Sequence, residues 1–393
     1  MSFSRKKKAA VYGVMDVGAD SIKAVVFETV PEGERGRAAS AALPRILEKF
    51  VWDLPVSCSP LRLVQKIRES VFAMTEKIRM TPQKVVIALG PEVGEYALQS
   101  WMSPAAPAPL TRENIREAYQ RLFEEHADLR RAMIAVPVDV LVNGYPWASR
   151  EVAPRGASVL APRGSGDEIV FQTMALSLAV ENGALFNGLK NALVGIPIAF
   201  LPLVVAEKEA LTVALNISNA FFIDVGADAT ALLSVRGGRL IHTAFMPMGT
   251  RRMAEIAEKN YRYSLRDARL AMRHYAEGGI RDGALAHASA AAAAGAAEWK
   301  ENFLRALDTF YPTGPLSSTV LLAGGGALYP EIRAVATAHD WLGGFSYAEA
   351  PSVRVLEGAS FFGGNTLGGN LQGPEDVGLA ALMVYSLRHE PLF

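Results

Sequence analysis

The chain has 393 residues, enough for two or more domains with substantial cores. Half of the residues are hydrophobic and a fifth are charged, the balance of an ordinary globular protein. Forty basic side chains cancel forty acidic ones, which removes the global field that draws a chain to nucleic acid, and the single cysteine, Cys58, excludes an intrachain disulfide and fits a reducing compartment.

Met1–Ala10 is a basic leader carrying Lys6, Lys7 and Lys8, with no secretory pattern behind it. It reads as a solvated tail or as a point of attraction to anionic lipid. Val11, Tyr12, Val14 and Met15 then form an apolar run that ends in Asp16-Val17-Gly18-Ala19-Asp20, and Ser21–Phe27 alternates as a second strand. A turn around Gly33 and Gly36 leads onward. Leu61–Met80 has the apolar spacing of an amphipathic helix, broken by Pro82, and Lys84–Leu89 reads as a strand.

Composition shifts near Gly90. The Pro- and Ala-rich stretch Pro104–Pro109 precedes Thr111, a candidate N-cap for a helix through about Glu125. Strands are expected over Met133–Val142 and Glu168–Ser177, separated by a Gly/Pro/Arg-rich loop around Pro154–Gly166. A helix is expected over Leu178–Ala192. The block 90–175 has its own strand and helix pattern and no chemical cluster, so it is expected to be an inserted interaction module. The longest apolar run, Ala192–Ala206, is too short to span a bilayer and carries Pro197 and Pro202, so the chain is expected in the cytoplasm.

At Asp224–Asp228 the phrase Asp-Val-Gly-Ala-Asp returns, again between an apolar run (Ala220–Ile223) and an alternating strand (Ala229–Val235), with a turn at Gly237-Gly238. One Asp-x-Gly corner is an ordinary hairpin turn. Two with matching flanks imply a duplicated domain. Gly permits φ > 0 and turns backbone N–H groups toward a ligand, as in anion-holding nests, and the opening Asp puts a carboxylate where a bridging cation could sit. The pair suggests a clamp on a polyphosphate–metal ligand. Met248-Gly249-Thr250 opens a helical region with an Ala-rich centre, Ser289–Ala297. Strand Ser318–Leu322 runs into Gly324-Gly325-Gly326, either a plain connector or a backbone surface for a flat or anionic ligand, and Pro330-Glu331 starts a helix. Gly358–Gly373 reads as a mobile loop, and a last helix covers about Pro374–Arg388.

Asp16–Lys23, Asp224–Thr230 and Ala323–Leu328, in that order, resemble the first phosphate, second phosphate and adenosine motifs of the actin-like ATPase superfamily. Within it the chain is most similar to the branch of the bacterial division protein FtsA and the type IV pilus protein PilM. Leu110–Ala118, Ala135–Asp139, His242-Thr243-Ala244, Pro247-Met248-Gly249, Val353-Arg354-Val355 and Val377–Ala380 are the further cues. The resemblance implies an α/β, ribonuclease H-like fold of duplicated domains with a small α+β (SHS2/1C-type) insertion. Its expected divisions are 1–89 for the first part of lobe I and 90–175 for the insertion. Residues 176–210 would return to lobe I, 211–375 form lobe II, and 376–393 supply a C-terminal helix on lobe I.

It also implies ATP or ADP with Mg²⁺ in the cleft. Asp16 and Asp224 would hold the hydrated metal. Gly18, Ala19, Asp20, Ser21, Gly226, Ala227, Asp228, Thr230 and Gly249 would surround the phosphates, and Gly324, Gly325, Gly326 and Leu328 the adenosine. Lys23 would meet phosphate as a point charge or stay solvated. The departures point to weak or absent hydrolysis. The second loop lacks two glycines, a threonine and the closing acid of the FtsA pattern, where Ala231 now stands, and Asp228 adds negative charge beside phosphate. Leu201 stands before Pro202 where many relatives have a water-orienting Glu, and Ala268-Arg269-Leu270-Ala271-Met272 lacks both ribose anchors.

The expected role is therefore an FtsA-like scaffold that recruits division components at the inner membrane face. The alternatives are a PilM-type pilus-assembly protein, an active polymerising ATPase, and a sugar or acetate kinase, for which no acceptor-base cluster is visible. Partners would be division or pilus-assembly proteins on the insertion, and copies of the chain itself in filaments. FtsA ends in an amphipathic membrane helix; here Pro391-Leu392-Phe393 follow the last helix directly, so the expected membrane contact is the basic leader or a partner.

Overall fold

The structure, a computed structural model, describes residues 10–388 apart from 30–43, 56–57, 104–110, 128, 130–131, 143–144, 147–167, 179, 194, 348 and 364–370. The basic leader, the turn at Gly33 and Gly36, the Pro/Ala stretch, the loop around Pro154–Gly166 and the middle of Gly358–Gly373 lie outside the described residues.

The chain opens with β1 (Val11–Val17), β2 (Ser21–Thr29), β3 (Pro44–Asp53), α1 (Pro60–Ile78) and β4 (Lys84–Leu89). All six residues of β4 are buried, as a parallel strand covered on both faces requires. Ser59 caps α1, its side chain accepting from the Arg62 N–H at 3.4 Å, and Pro60 sits in the first turn, where no donor is lost. Ile67, Val71 and Met74 form its buried stripe, and the helix ends at Arg79, in the left-handed region at φ 52°.

A smaller sheet follows: β5 (Glu95–Ser103), α2 (Arg112–Glu125), β6 (Ile134–Val142), β7 (Tyr145–Pro146) and β8 (Ile169–Ser177), in the order β5-β8-β6-β7 and antiparallel throughout. Thr111 caps α2 as its sequence suggests, accepting from the Asn114 N–H at 3.1 Å. Ile115, Ala118, Tyr119 and Leu122, one helical face, join Ile169 and Phe171 in a separate core.

The chain returns through α3 (Val180–Ala192) to β9 (Ile198–Pro202), which closes a five-stranded sheet of order β3-β2-β1-β4-β9, and continues into α4 (Leu203–Val213). Next come β10 (Ala220–Val225), β11 (Thr230–Arg236) and β12 (Arg239–Met246). Helices α5 (Arg251–Tyr261), α6 (Leu265–Ala276) and α7 (Asp282–Leu307) lead to β13 (Thr319–Ala323). Then α8 (Pro330–Ala336), α9 (His339–Leu342), β14 (Ser352–Val355) and α10 (Val377–Arg388) complete the chain.

The second five-stranded sheet has the order β12-β11-β10-β13-β14, so it repeats the first strand for strand. β1 and β10 are the central equivalents. Each runs antiparallel to the strand after its loop and parallel to a later strand, with Asp16 opposite Lys23 and Ala88 and Asp224 opposite Ala231 and Ala323. The repeated phrase is thus a repeated piece of structure. α10 packs on β1 and α4; it is apolar nearly all round, and Val377 through Val384 are all buried.

Among the described residues, no helix is long and apolar enough to cross a membrane.

Candidate functional site

The two loops that follow β1 and β10 close in the same way. The Gly18 N–H donates to the Ser21 carbonyl at 3.1 Å, and the Gly226 N–H to the Ala229 carbonyl, the equivalent position, at 2.9 Å. Between the sheets lies a cavity of about 380 Å³. Asp16 and Asp224 both line it, from the ends of their strands. Gly18, Ala19, Asp20, Ser21 and Lys23 line it from the first half, and Gly226 and Ala227 from the second. Gly324, Gly325 and Leu328 form part of another wall. Gly324 has φ 81°, and a Cβ there would collide with the Asp224 carboxylate and the Val225 carbonyl, so the backbone approach needs glycine.

Four of the expected site residues do not line this cavity. Thr230 is fully buried: its hydroxyl donates to the Met248 carbonyl at 2.8 Å and accepts from the Trp299 indole N–H at 2.9 Å. Strand alternation turns it into the core of the second half, so it is a packing group. Gly249 lies behind the second loop, where a Cβ would strike the Gly226 and Ala227 carbonyls, and it lets the start of α5 dock on that loop. Gly326 packs on Val225. Asp228 faces a second cavity of about 250 Å³ and pairs with Arg251 at 2.8 Å, so arginine offsets the negative charge that the sequence places beside phosphate.

The acids are enclosed by protein and open only onto the cavities. Burial raises the Asp16 carboxyl above its ordinary range, opposed by Lys23 and reinforced by Asp376. Burial, then the charge of Asp16, pushes Asp224 up to about 6. Such a pair welcomes a cation, which relieves both the enclosure and the mutual repulsion. Among the described residues no three acidic, histidine or cysteine side chains gather as a metal cluster. A metal here would rest on two carboxylates and complete its shell with water and ligand oxygens, the habit of Mg²⁺. With glycine-backed walls and two carboxyls lining one cavity, the residues fit a nucleotide and Mg²⁺.

Several residues of the site were not legible in the sequence. Glu92, just after β4, lines both cavities. Its side chain is exposed to them yet ringed by protein, and enclosure, then Asp16, Asp228 and Asp224, push it up to about 8. Glu207, on α4, is 1% exposed, and burial beside Asp224 and Asp16 holds it well above the carboxylate range. Lys49 of β3 reaches both carboxylate oxygens of Asp376 at 2.7 Å, and Lys23 donates to the Glu375 carbonyl at 2.5 Å. Arg251 and Arg269 meet Asp20 at 2.6 and 2.9 Å. Arg269 thus puts a charged group into the cavity wall at a position that the sequence marks only as a lost anchor. Leu201 is 2% exposed within β9 and absent from the wall, whereas Leu203 lines it.

No family model matches the chain, and neither does any curated protein. Among solved structures it is similar to the PilM-PilN type IV pilus biogenesis complex, with 18% identity and a TM-score of 0.61 over 95% of this chain and 98% of that one. Ethanolamine utilization protein EutJ from Carboxydothermus hydrogenoformans gives 12% identity and a TM-score of 0.46, covering 89% of this chain and 86% of that chain. Diol dehydratase-reactivating factor in nucleotide-free form gives 10% and 0.46, covering 97% and 100%. The chain has the actin-like ATPase fold, with its two mixed sheets duplicated.

Proposed function

We propose that this chain is a nucleotide-binding scaffold of type IV pilus assembly, built on the actin-like ATPase fold. One observation carries the reading: Asp16 and Asp224, from the two copies of one sequence phrase, line a single cavity between the repeated loops. In this reading Asp16 and Asp224 hold hydrated Mg²⁺, Gly18, Ala19, Gly226 and Ala227 border the phosphates, and Gly324, Gly325 and Leu328 border the adenosine. When bound, the metal would neutralise phosphate charge; the chain's own residues supply orientation and enclosure. Hydrolysis is weak in this reading, because Leu201 lies in the core and a leucine cannot orient water.

The pilus role draws its support from likeness to a PilM-PilN structure along nearly the whole of both chains. The FtsA-like division role rests only on the sequence cues, so the pilus alternative is preferred. Residues 90–175 serve as the partner-binding, SHS2/1C-type insertion, an assignment supported by their separate antiparallel sheet and core. They fall between a first part of lobe I at 1–89 and its return at 176–210, with lobe II at 211–375 and α10 packed back on lobe I. Contact with anionic lipid through Lys6, Lys7 and Lys8 at the inner membrane face, and self-association into filaments, remain part of the proposal.

Calorimetry of ADP and ATP, each with and without Mg²⁺, tests the nucleotide reading. Binding that needs Mg²⁺ and is lost in Asp16→Asn and Asp224→Asn is expected. Absence of binding to the wild-type chain, or binding indifferent to both substitutions, would overturn it.

A further inference from the structure

Each copy of the repeated phrase closes on an aspartate, Asp20 in the first and Asp228 in the second. An acid in a turn that offers backbone N–H groups to phosphate is unfavourable unless something neutralises it. The structure shows what does. The Arg251 guanidinium, at the start of α5, lies between the two: Nη2 donates to Asp20 Oδ1 at 2.6 Å and to the Ala19 carbonyl at 3.1 Å, and Nη1 pairs with Asp228 Oδ2 at 2.8 Å. Arg269 also meets Asp20, at 2.9 Å, and donates to the Leu54 and Asp20 carbonyls, each at 3.3 Å. Both arginine side chains are only 14% exposed. One side chain of the second half therefore ties the closing acids of both loops together.

The other cations of the cavity wall are committed as well. Lys49 is on Asp376, Lys23 on the Glu375 carbonyl, and Arg273 on Asp53 at 3.1 Å. A phosphate chain between the loops would gain a metal on Asp16 and Asp224. Among the described residues it gains a side-chain cation only by taking Lys49, Arg251, Arg269 or Arg273 from a protein acid, or Lys23 from the Glu375 carbonyl and the neighbourhood of Asp16. If Arg251 leaves Asp20 for phosphate, Asp20 keeps Arg269 alone, and the two arginines and two aspartates of the cluster still leave no surplus positive charge for the phosphate. If it stays, the added phosphate charge goes unmatched. Either way the cost grows with ligand charge, and Mg²⁺-triphosphate carries one more negative charge than Mg²⁺-diphosphate. Discrimination by an unfavourable element suffices for specificity, without any new attraction to the preferred ligand.

We infer that Arg251, held between Asp20 and Asp228, is a specificity-determining residue that makes this cleft take a nucleoside diphosphate in preference to a triphosphate. The inference rests on the nucleotide reading above and deepens it. The simplest opposing outcome is that phosphate captures Arg251 as a free cation would, which favours the triphosphate.

The test is calorimetric titration of the full chain with ADP and with ATP, both in Mg²⁺. The wild type is expected to bind ADP about tenfold more tightly than ATP, the scale of one unmatched charge at a partly solvated site. Asp20→Ser removes the acid on the cleft side, leaving Arg251 on Asp228 and Arg269 on backbone carbonyls with one positive charge in surplus, so ATP should come within about threefold of ADP. Arg251→Met bares Asp228, leaves Asp20 to Arg269 alone and gives the cluster a net negative charge, so it should widen the gap beyond the wild-type ratio. ATP bound as tightly as ADP by the wild type overturns the inference. So does a ratio left unchanged in folded variants, with folding checked by circular dichroism. The wild-type comparison stands by itself if a variant fails to fold. Binding of neither nucleotide to the wild type removes the nucleotide reading itself, a result distinct from the other two.

Discussion

Glu207 stands buried against Asp224, and the two carboxyls compete for protons in a space that neither shares freely with water. The Glu207 carboxyl holds its proton toward Asp224, and its oxygens find no other hydrogen-bond partner. A buried polar group left unsatisfied costs about 1–3 kcal/mol. Glu207→Leu, of similar bulk, is therefore expected to raise the unfolding free energy by about that amount at pH 7 in urea denaturation. A destabilised Glu207→Leu protein would show that the carboxyl has structural work that its surroundings do not reveal.

Glu92 gives a pH dependence with a definite sign. Its folded value, about 8, lies above its ordinary 4.5, so folding favours the protonated acid. Below 4.5 the folded and unfolded chains hold the proton alike. As pH rises from about 4.5 to about 8, the unfolded chain releases it and the folded chain does not, so stability is lost across that window. The melting temperature should fall between pH 5 and pH 8, and fall less in Glu92→Gln. Asp224, raised to about 6, leaves a residual slope at the acid end of the range. Equal slopes in the two proteins would show that Glu92 titrates normally.

The small sheet is tied to both halves at one carboxylate. Asp139 of β6 receives Lys208 of α4 at 2.6 Å and the Leu240 N–H of β12 at 2.9 Å, with both charged side chains under a tenth exposed. Asp139→Ala strands a buried ammonium and should cost about 3–5 kcal/mol in chemical denaturation. Asp139→Ala combined with Lys208→Met should cost less than Asp139→Ala alone, because no buried charge is left unpaired. A double variant that loses as much as the sum of its singles would refute a direct pair.

Leu201 faces the core beside Ala88. Leu201→Glu places an acid among apolar side chains, so a loss of stability on the order of 3 kcal/mol is expected, with no gain in phosphate release from Mg²⁺-ATP. An accelerated release would mean that the side chain at this position reaches the cavity after all.

The duplicated architecture was legible because local physics writes it locally. Alternation marks β1, β2, β10 and β11, turn chemistry marks Gly18 and Gly226, and the repetition of one phrase marks the duplication. Helix α1 announces itself through its apolar stripe and α2 through its Thr111 cap. The meeting of Asp16 and Asp224 follows from the same logic, since equivalent strands carry equivalent corners.

What tertiary structure alone decided concerns partners distant in the chain. Arg251 joins Asp20 across 231 positions, and Lys49 joins Asp376 across 327, separations at which no periodicity operates. Thr230 belongs to the core because strand register turns it there, and the charges of Glu92 and Glu207 depend on which acids the fold sets around them. By itself the sequence determined the Asp-x-Gly hairpin and that it forms twice, while elements such as β5 and α4 were not legible in it. Which charges face one another was decided only when the two halves closed, because Coulomb energy and desolvation depend on distance through space.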